Sequence, residues 1–209
     1  MKGKIRTDYF RIKRKETINY VLSILICNVK SRSVKLRALV DELDHQIGSK
    51  PVQVLWIGDN KSITTGEKRN ELIKMSKGKY FCFIDDDDYP SDKYVSSILS
   101  GIESGKKVIT FKGTQNTDGK EDCPFKYDHS AGRNYKKVID GVRWKIMLPD
   151  HLCVWSKDLT IEPFHHKNLS EDHEWARDME KHYKPDDIYE MDEFLYHYEY
   201  DKNESECRR

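Results

Sequence analysis

The chain has 209 residues, 35% of them charged, yet Lys+Arg 37 against Asp+Glu 36 leaves a formal net charge of only +1. Balance that close removes bulk attraction to nucleic acid or to an anionic membrane, so partners have to be argued from local sites. The length is enough to bury a real core, and one domain over residues 1–209 is the simplest organisation.

Five cysteines, Cys27, Cys82, Cys123, Cys153 and Cys207, are an odd number without any CxxC pair, and three of them sit inside apolar runs. Such a pattern reads as reduced thiols and gives an expectation of a cytoplasmic protein. The apolar run Tyr20 to Cys27 is too short to span a bilayer and lacks a signal-peptide layout, so no transmembrane segment is expected.

In chain order, residues 1–19 are polar and basic and read as a solvated arm. Val21 to Cys27 is a continuous apolar run of the kind that a parallel sheet buries on both faces. Leu36, Leu39, Val40, Leu43 and Ile47 recur at helical spacing, and Gly48 and Pro51 end that helix. Val52 to Ile57 is a second strand closed by Gly58-Asp59-Asn60, followed by a loop and a short helix from about Glu67 to Lys77. Tyr80 to Ile84 is a third strand, and Ser91 or Asp92 is placed to cap a helix carrying Tyr94, Val95, Ile98, Leu99 and Ile102. Val108 to Phe111 is a fourth strand. The alternation predicts a doubly wound, mostly parallel α/β sheet, whose ligands bind beyond the carboxyl ends of the strands. After Gly113 the alternation stops. Val138 to Leu148 is ambiguous, Leu152 to Trp155 reads as a strand, Ser170 as the cap of a helix over 171–182, and Ile188 to Tyr200 as one or two short strands.

The most telling stretch is Asp85-Asp86-Asp87-Asp88, four carboxylates placed where the third strand ends. Adjacent carboxylates repel, and a turn needs no more than one of them, so a positive partner is expected. Hard oxygen ligands on such a loop suit Mg²⁺ or Mn²⁺ shared with substrate phosphates. Asn28, Asp59 and the aspartates would converge as three polar strand ends on one crevice. Lys68 and Arg69 could meet phosphates there, although neighbours on a helix point to different sides, so at most one of the two is expected to face the crevice.

Gly66-Glu67-Lys68-Arg69-Asn70 followed by Lys77-Gly78-Lys79-Tyr80 and the strand into Asp85-Asp86-Asp87-Asp88 resembles the nucleotide-sugar-binding half of a GT-A fold glycosyltransferase, especially family 2, with its Asp-x-Asp-Asp metal motif. The resemblance implies a nucleotide-sugar-binding half over 20–112 and an acceptor-binding half, partly antiparallel, over 113–209. It implies a nucleotide-diphospho-sugar donor, a UDP-sugar as first guess, a glycan or other hydroxyl acceptor, and inversion. By position alone Asp59 could hydrogen-bond a base edge and Lys68 and Arg69 could meet phosphates or the base, a turn residue and a solvated helix face being the plainer readings; carried over residue by residue, Asn28 lies near the nucleotide and Asp85 at the ribose. Asp87 and Asp88 take the cation, and Asp86 occupies the motif's variable position, pointing away. Glu171-Asp172 resembles the family's Glu-Asp pair, with Asp172 as general base and Glu171 as its alternate. Acids in a first helical turn are also favoured by the helix dipole alone. His151 and Trp155 are candidates for the acceptor side, and His197 for a late metal contact, an edge-strand histidine and a core tryptophan being the plainer readings.

A nucleotidyltransferase would carry a Gly-rich basic loop after the first strand, and Asn28 to Ser33 has no Gly. A calcium loop starting at Asp85 would need Gly at Pro90 and Glu at Ser96. A non-catalytic nucleotide- or metal-binding module shares the fold signals and is separable only by activity.

Overall fold

A computed structural model describes residues 19–200; the basic arm, but for its last residue, and Cys207 lie outside the described residues. The elements in order are β1 (Leu22–Val29), α1 (Ser33–Ile47), β2 (Val52–Asp59), α2 (Thr65–Met75), β3 (Tyr80–Phe83), β4 (Tyr89–Pro90) and α3 (Tyr94–Ile102). There follow β5 (Val108–Thr117), β6 (Lys120–Tyr127), β7 (Tyr135–Ile139), β8 (Val142–Met147), β9 (Val154–Ser156), α4 (Glu171–Met179) and β10 (Ile188–Tyr200).

These strands form one sheet in the order β2-β1-β3-β9-β5-β6-β8-β7, with β10 along the free side of β5 and β4 against β10. β1 runs parallel to β2 and β3, and β9 enters antiparallel between β3 and β5. The expected mostly parallel α/β sheet with an antiparallel extension is therefore present. β1 is the middle strand of the parallel β2-β1-β3 part: Leu22, Ile24, Leu25 and Ile26 are fully buried, each side chain contributing roughly 1.5–3 kcal/mol of hydrophobic free energy. Ser23 breaks the apolar run but is satisfied, donating to the Gln53 side chain at 2.8 Å and accepting from Gly78 N at 2.8 Å. α1 packs with α3 and α2 with α4.

Several local expectations need correction. α3 is not capped by Ser91 or Asp92; the Gln46 side chain reaches over from α1, accepting from Val95 N at 3.0 Å and donating to Ser91 O at 2.8 Å. Ser170 precedes α4 in a left-handed conformation, φ 61°, and makes no side-chain cap. α2 begins at Thr65, earlier than expected, because Thr64 and Glu67 form a reciprocal capping box. The fourth strand continues far past Phe111, the ambiguous 138–148 segment is part of the β7–β8 hairpin, and residues 188–200 are one strand.

Candidate active site

A crevice opens at the carboxyl ends of β1 and β3. Asn28, next to last in β1, donates to Asp86 Oδ2 at 2.6 Å, and Val29 N points at the same oxygen from 3.4 Å. Arg32, one turn on, lies 3.0 Å from Asp86 and also pairs with Asp87. Asp86 thus turns inward, where the motif's variable position was expected to turn out. Burial and its acidic neighbours push its carboxyl up to about 7, against the opposing Arg32 and Asn28. Asp85 is held below the usual carboxylate range, because His151 at 3.4 Å and Arg69 at 3.3 Å outweigh the cost of its burial.

Both Lys68 and Arg69 are buried and both line the crevice. The expectation that only one would face it fails because α2 meets the crevice with its first turns, where consecutive side chains fan around the helix end. Lys68 Nζ donates to Asn28 O at 2.9 Å and pairs with Asp59 Oδ1 at 2.5 Å. Arg69 sits with its guanidinium 5.3 Å from the rings of both Phe83 and Phe164. Asn70 clamps the chain segment that leads to α4, accepting from Phe164 N and donating to Phe164 O, each at 2.8 Å. Gly66 N adds a bond to Lys167 O at 3.1 Å, and a Cβ on Gly66 would overlap the His165 carbonyl oxygen. The Gly66 to Asn70 motif therefore delivers Glu171 and Asp172 to the crevice.

Those two acids are distinguishable in the structure. Glu171 is buried 3.6 Å from Arg69, and burial raises its carboxyl above the ordinary value. Asp172 is half-buried and lines the crevice; burial pushes its carboxyl up, but His151, His173 and Arg69 together hold it below the ordinary value. Asp172 is ionised at neutral pH and accepts from its neighbour His173 N at 2.8 Å. His151 is buried beside Asp85, and the Asp85 carboxylate raises its imidazole against burial and Arg69.

Four of the expected residues are placed elsewhere. Asp88 is buried behind the crevice, its oxygens taken by Tyr196 Oη at 2.7 Å and Glu199 N at 2.8 Å. A turn closed by Asp88 N to Asp85 O, 3.1 Å, sends it that way. His197 shares a 2.6 Å hydrogen bond with Thr114 on β5 and sits where β10 is paired with β5 on one side and β4 on the other. Trp155 is fully buried, edge-on to Trp175 at 5.1 Å and Tyr183 at 5.3 Å, so it packs rather than lines. Asp59 closes a turn by accepting from Ser62 and Ile63 and meets Lys68, away from the lining. Arg32 was not anticipated, although a cation was expected at the aspartates; its one-turn offset from Asn28 is the only signal. Asp150, Gln115, Lys145 and Tyr198 also line the crevice and carried no signal in sequence.

Among the described residues no group of three or more His, Cys, Asp or Glu is gathered for a metal ion. Asp85 and Asp87 nonetheless present hard carboxylate oxygens at the crevice, a donor set that fits a Mg²⁺ or Mn²⁺ completed by substrate phosphate and water. Burial pushes the Asp87 carboxyl up despite Arg32, so a further positive charge there would be favourable.

The sequence profile of glycosyl transferase family 2 matches residues 17–158. The chain belongs to glycosyl transferase family 2. Its fold is similar to that of S. aureus TarS 1–349, with a TM-score of 0.57 at 15% identity over 86% of this chain and 60% of that one. The complex of the same TarS portion with UDP-GlcNAc superposes with a TM-score of 0.57 at 14% identity, covering 87% and 59%. The complex with UDP gives 0.56 at 14% identity, covering 86% and 60%. This family 2 chain thus spans about 60% of the length of those structures. No curated protein matches it in sequence. No helix among the described residues is long and apolar enough to cross a membrane.

Proposed function

We propose that this chain transfers a sugar from a nucleotide-diphospho-sugar, a UDP-sugar first, to an acceptor hydroxyl with inversion. The observation that carries the reading is the meeting of Asp85 and Asp87 from the β3 end with Asp172 from the α4 start in one crevice of a family 2 chain. Asp172 accepts the proton of the acceptor hydroxyl as that oxygen attacks the anomeric carbon from the face opposite the diphosphate. The carbon–oxygen bond to the diphosphate breaks, and the nucleoside diphosphate leaves with the electron pair. A divalent cation held by Asp87 and Asp85 would offset the charge that grows on the departing diphosphate. His151 and Arg69 keep Asp85 ionised and Arg69 anchors Glu171, while Asp172, held by its neighbour His173, faces the crevice.

Support for the UDP guess comes from the TarS complexes with UDP-GlcNAc and UDP. Cys27, Cys82, Cys123 and Cys153 are all free thiols, which supports a cytoplasmic setting. The test is release of nucleoside diphosphate from UDP-sugars with Mn²⁺ and hydroxyl acceptors. Asp172→Asn is expected to lower transfer by about 10²-fold or more with UDP affinity unchanged, and full activity in that variant would remove Asp172 from the role.

A further inference from the structure

Most cations in the crevice are already matched by acid. Arg32 pairs with Asp86 and Asp87, Lys68 with Asp59, Arg69 with Asp85 and Glu171, and His151 with Asp85. Lys145 on β8 is different. It lines the crevice, half-buried, and its Nζ meets only neutral groups: it donates to the Gln115 side-chain oxygen at 3.1 Å and stands 5.9 Å from the centre of the Tyr198 ring. Among the described residues no carboxylate reaches it within ion-pair distance.

Its surroundings make that charge costly. Lys136 stands directly opposite on β7 in the antiparallel register, a like charge on the same face of the sheet. Burial pushes the Lys145 ammonium below its ordinary value, with Asp150 and Asp172 opposing the shift and Lys136 adding to it. A neutral side chain would fill the position without that cost unless an anion arrives to meet the ammonium. Lys145 belongs to β8, in the part of the chain after Gly113, and lines the crevice together with Asp150 and Asp172.

We propose that Lys145 receives an anionic group of the acceptor, a phosphate ester or a carboxylate close to the reacting hydroxyl, so that the enzyme glycosylates acidic acceptors. This rests on the glycosyltransferase reading of the same crevice. Gln115 and Tyr198 orient the ammonium. Lys145 is then a specificity residue, separate from proton transfer at Asp172.

The experiment is calorimetric titration of the whole chain, with UDP and Mn²⁺ present to occupy the donor side, using three probes on one sugar frame: methyl glucoside, glucose 6-phosphate and glucuronate. The acidic probes are expected to bind about tenfold or more tighter than the neutral one, the size of a buried charge contact. Preference for only one of the two acids identifies the phosphate ester or the carboxylate as the group received. Lys145→Gln and Lys145→Met are expected to erase the preference and Lys145→Arg to keep it, with unfolding midpoints near the parent's. Equal binding of all three probes, or no measurable preference, overturns the proposal, as does a preference that survives in both neutral variants. If UDP itself does not bind, the donor reading fails, and the probe titration without nucleotide still decides the role of Lys145 through the same variants.

Discussion

Replacing Lys68 by Met removes the cation that ties β2 to α2 beneath the crevice. Its ammonium is buried between Asp59 Oδ1 at 2.5 Å and Asn28 O at 2.9 Å, so the substitution strands a buried carboxylate. Breaking such a pair costs about 3–5 kcal/mol, and the lower end applies because Asp59 keeps its bonds from Ser62 N, Ser62 Oγ and Ile63 N at 2.6, 2.8 and 3.0 Å. At 2–4 °C per kcal/mol for a chain of this size, the melting temperature should fall by roughly 6–12 °C. The pH dependence has a definite sign. Burial raises the Asp59 carboxyl, but Lys68, Ile63 and Ser62 together lower it from 3.8 to about 2, so its contribution is present above pH 3.8 and is lost as pH falls through about 2. Without Lys68 the carboxylate is a liability that protonation relieves. Urea unfolding should therefore show a deficit at pH 7 that shrinks as pH falls through about 4. Adding Asp59→Asn to Lys68→Met should recover part of the loss. A deficit that is independent of pH, or fully additive losses in the double variant, would refute the assignment of Lys68 and Asp59 as a coupled pair.

Arg32→Met should leave Asp86 and Asp87 without their cation, lowering stability by about 1–3 kcal/mol. Mn²⁺ should then raise the melting temperature more in the variant than in the parent, and an equal response would argue against a cation at Asp87. Tyr196→Phe removes the hydroxyl that donates to Asp88 and accepts from Asp85 N at 3.1 Å, and a loss of about 1–3 kcal/mol in urea unfolding is expected. Gly66→Ala forces the His165 carbonyl away from α2. Transfer should fall more than UDP binding, because the displaced segment carries Asp172, and unchanged transfer kinetics would contradict that linkage.

The parallel part of the sheet was legible because β1 and β3 are buried on both faces, and their apolar runs end abruptly in Asn28 and the aspartates. The region after Gly113 was not. β7 reads Tyr135-Lys136-Lys137-Val138-Ile139 with nearly every side chain exposed, and β5 turns polar after Phe111 where it leaves the core, so neither shows a buried-strand pattern. Within the site, the Asp-x-Asp-Asp resemblance identified the run but not which way each acid turns. That is decided by the Asp85–Asp88 turn and by Tyr196, more than a hundred residues away, which claims Asp88. The ranking of Glu171 and Asp172 likewise depends on Arg69, whose reach across to α4 no spacing in the sequence reveals.

Binding of a nucleoside diphosphate together with a divalent cation in the crevice is decided by calorimetric titration of UDP with and without Mn²⁺, on the parent chain and on Asp87→Ala. UDP is expected to bind more tightly with Mn²⁺ and to lose that Mn²⁺ dependence in Asp87→Ala, with the variant's unfolding midpoint close to the parent's. Absence of binding by UDP and the other common nucleoside diphosphates in the presence of Mn²⁺, or an undiminished Mn²⁺ effect in the variant, would contradict it.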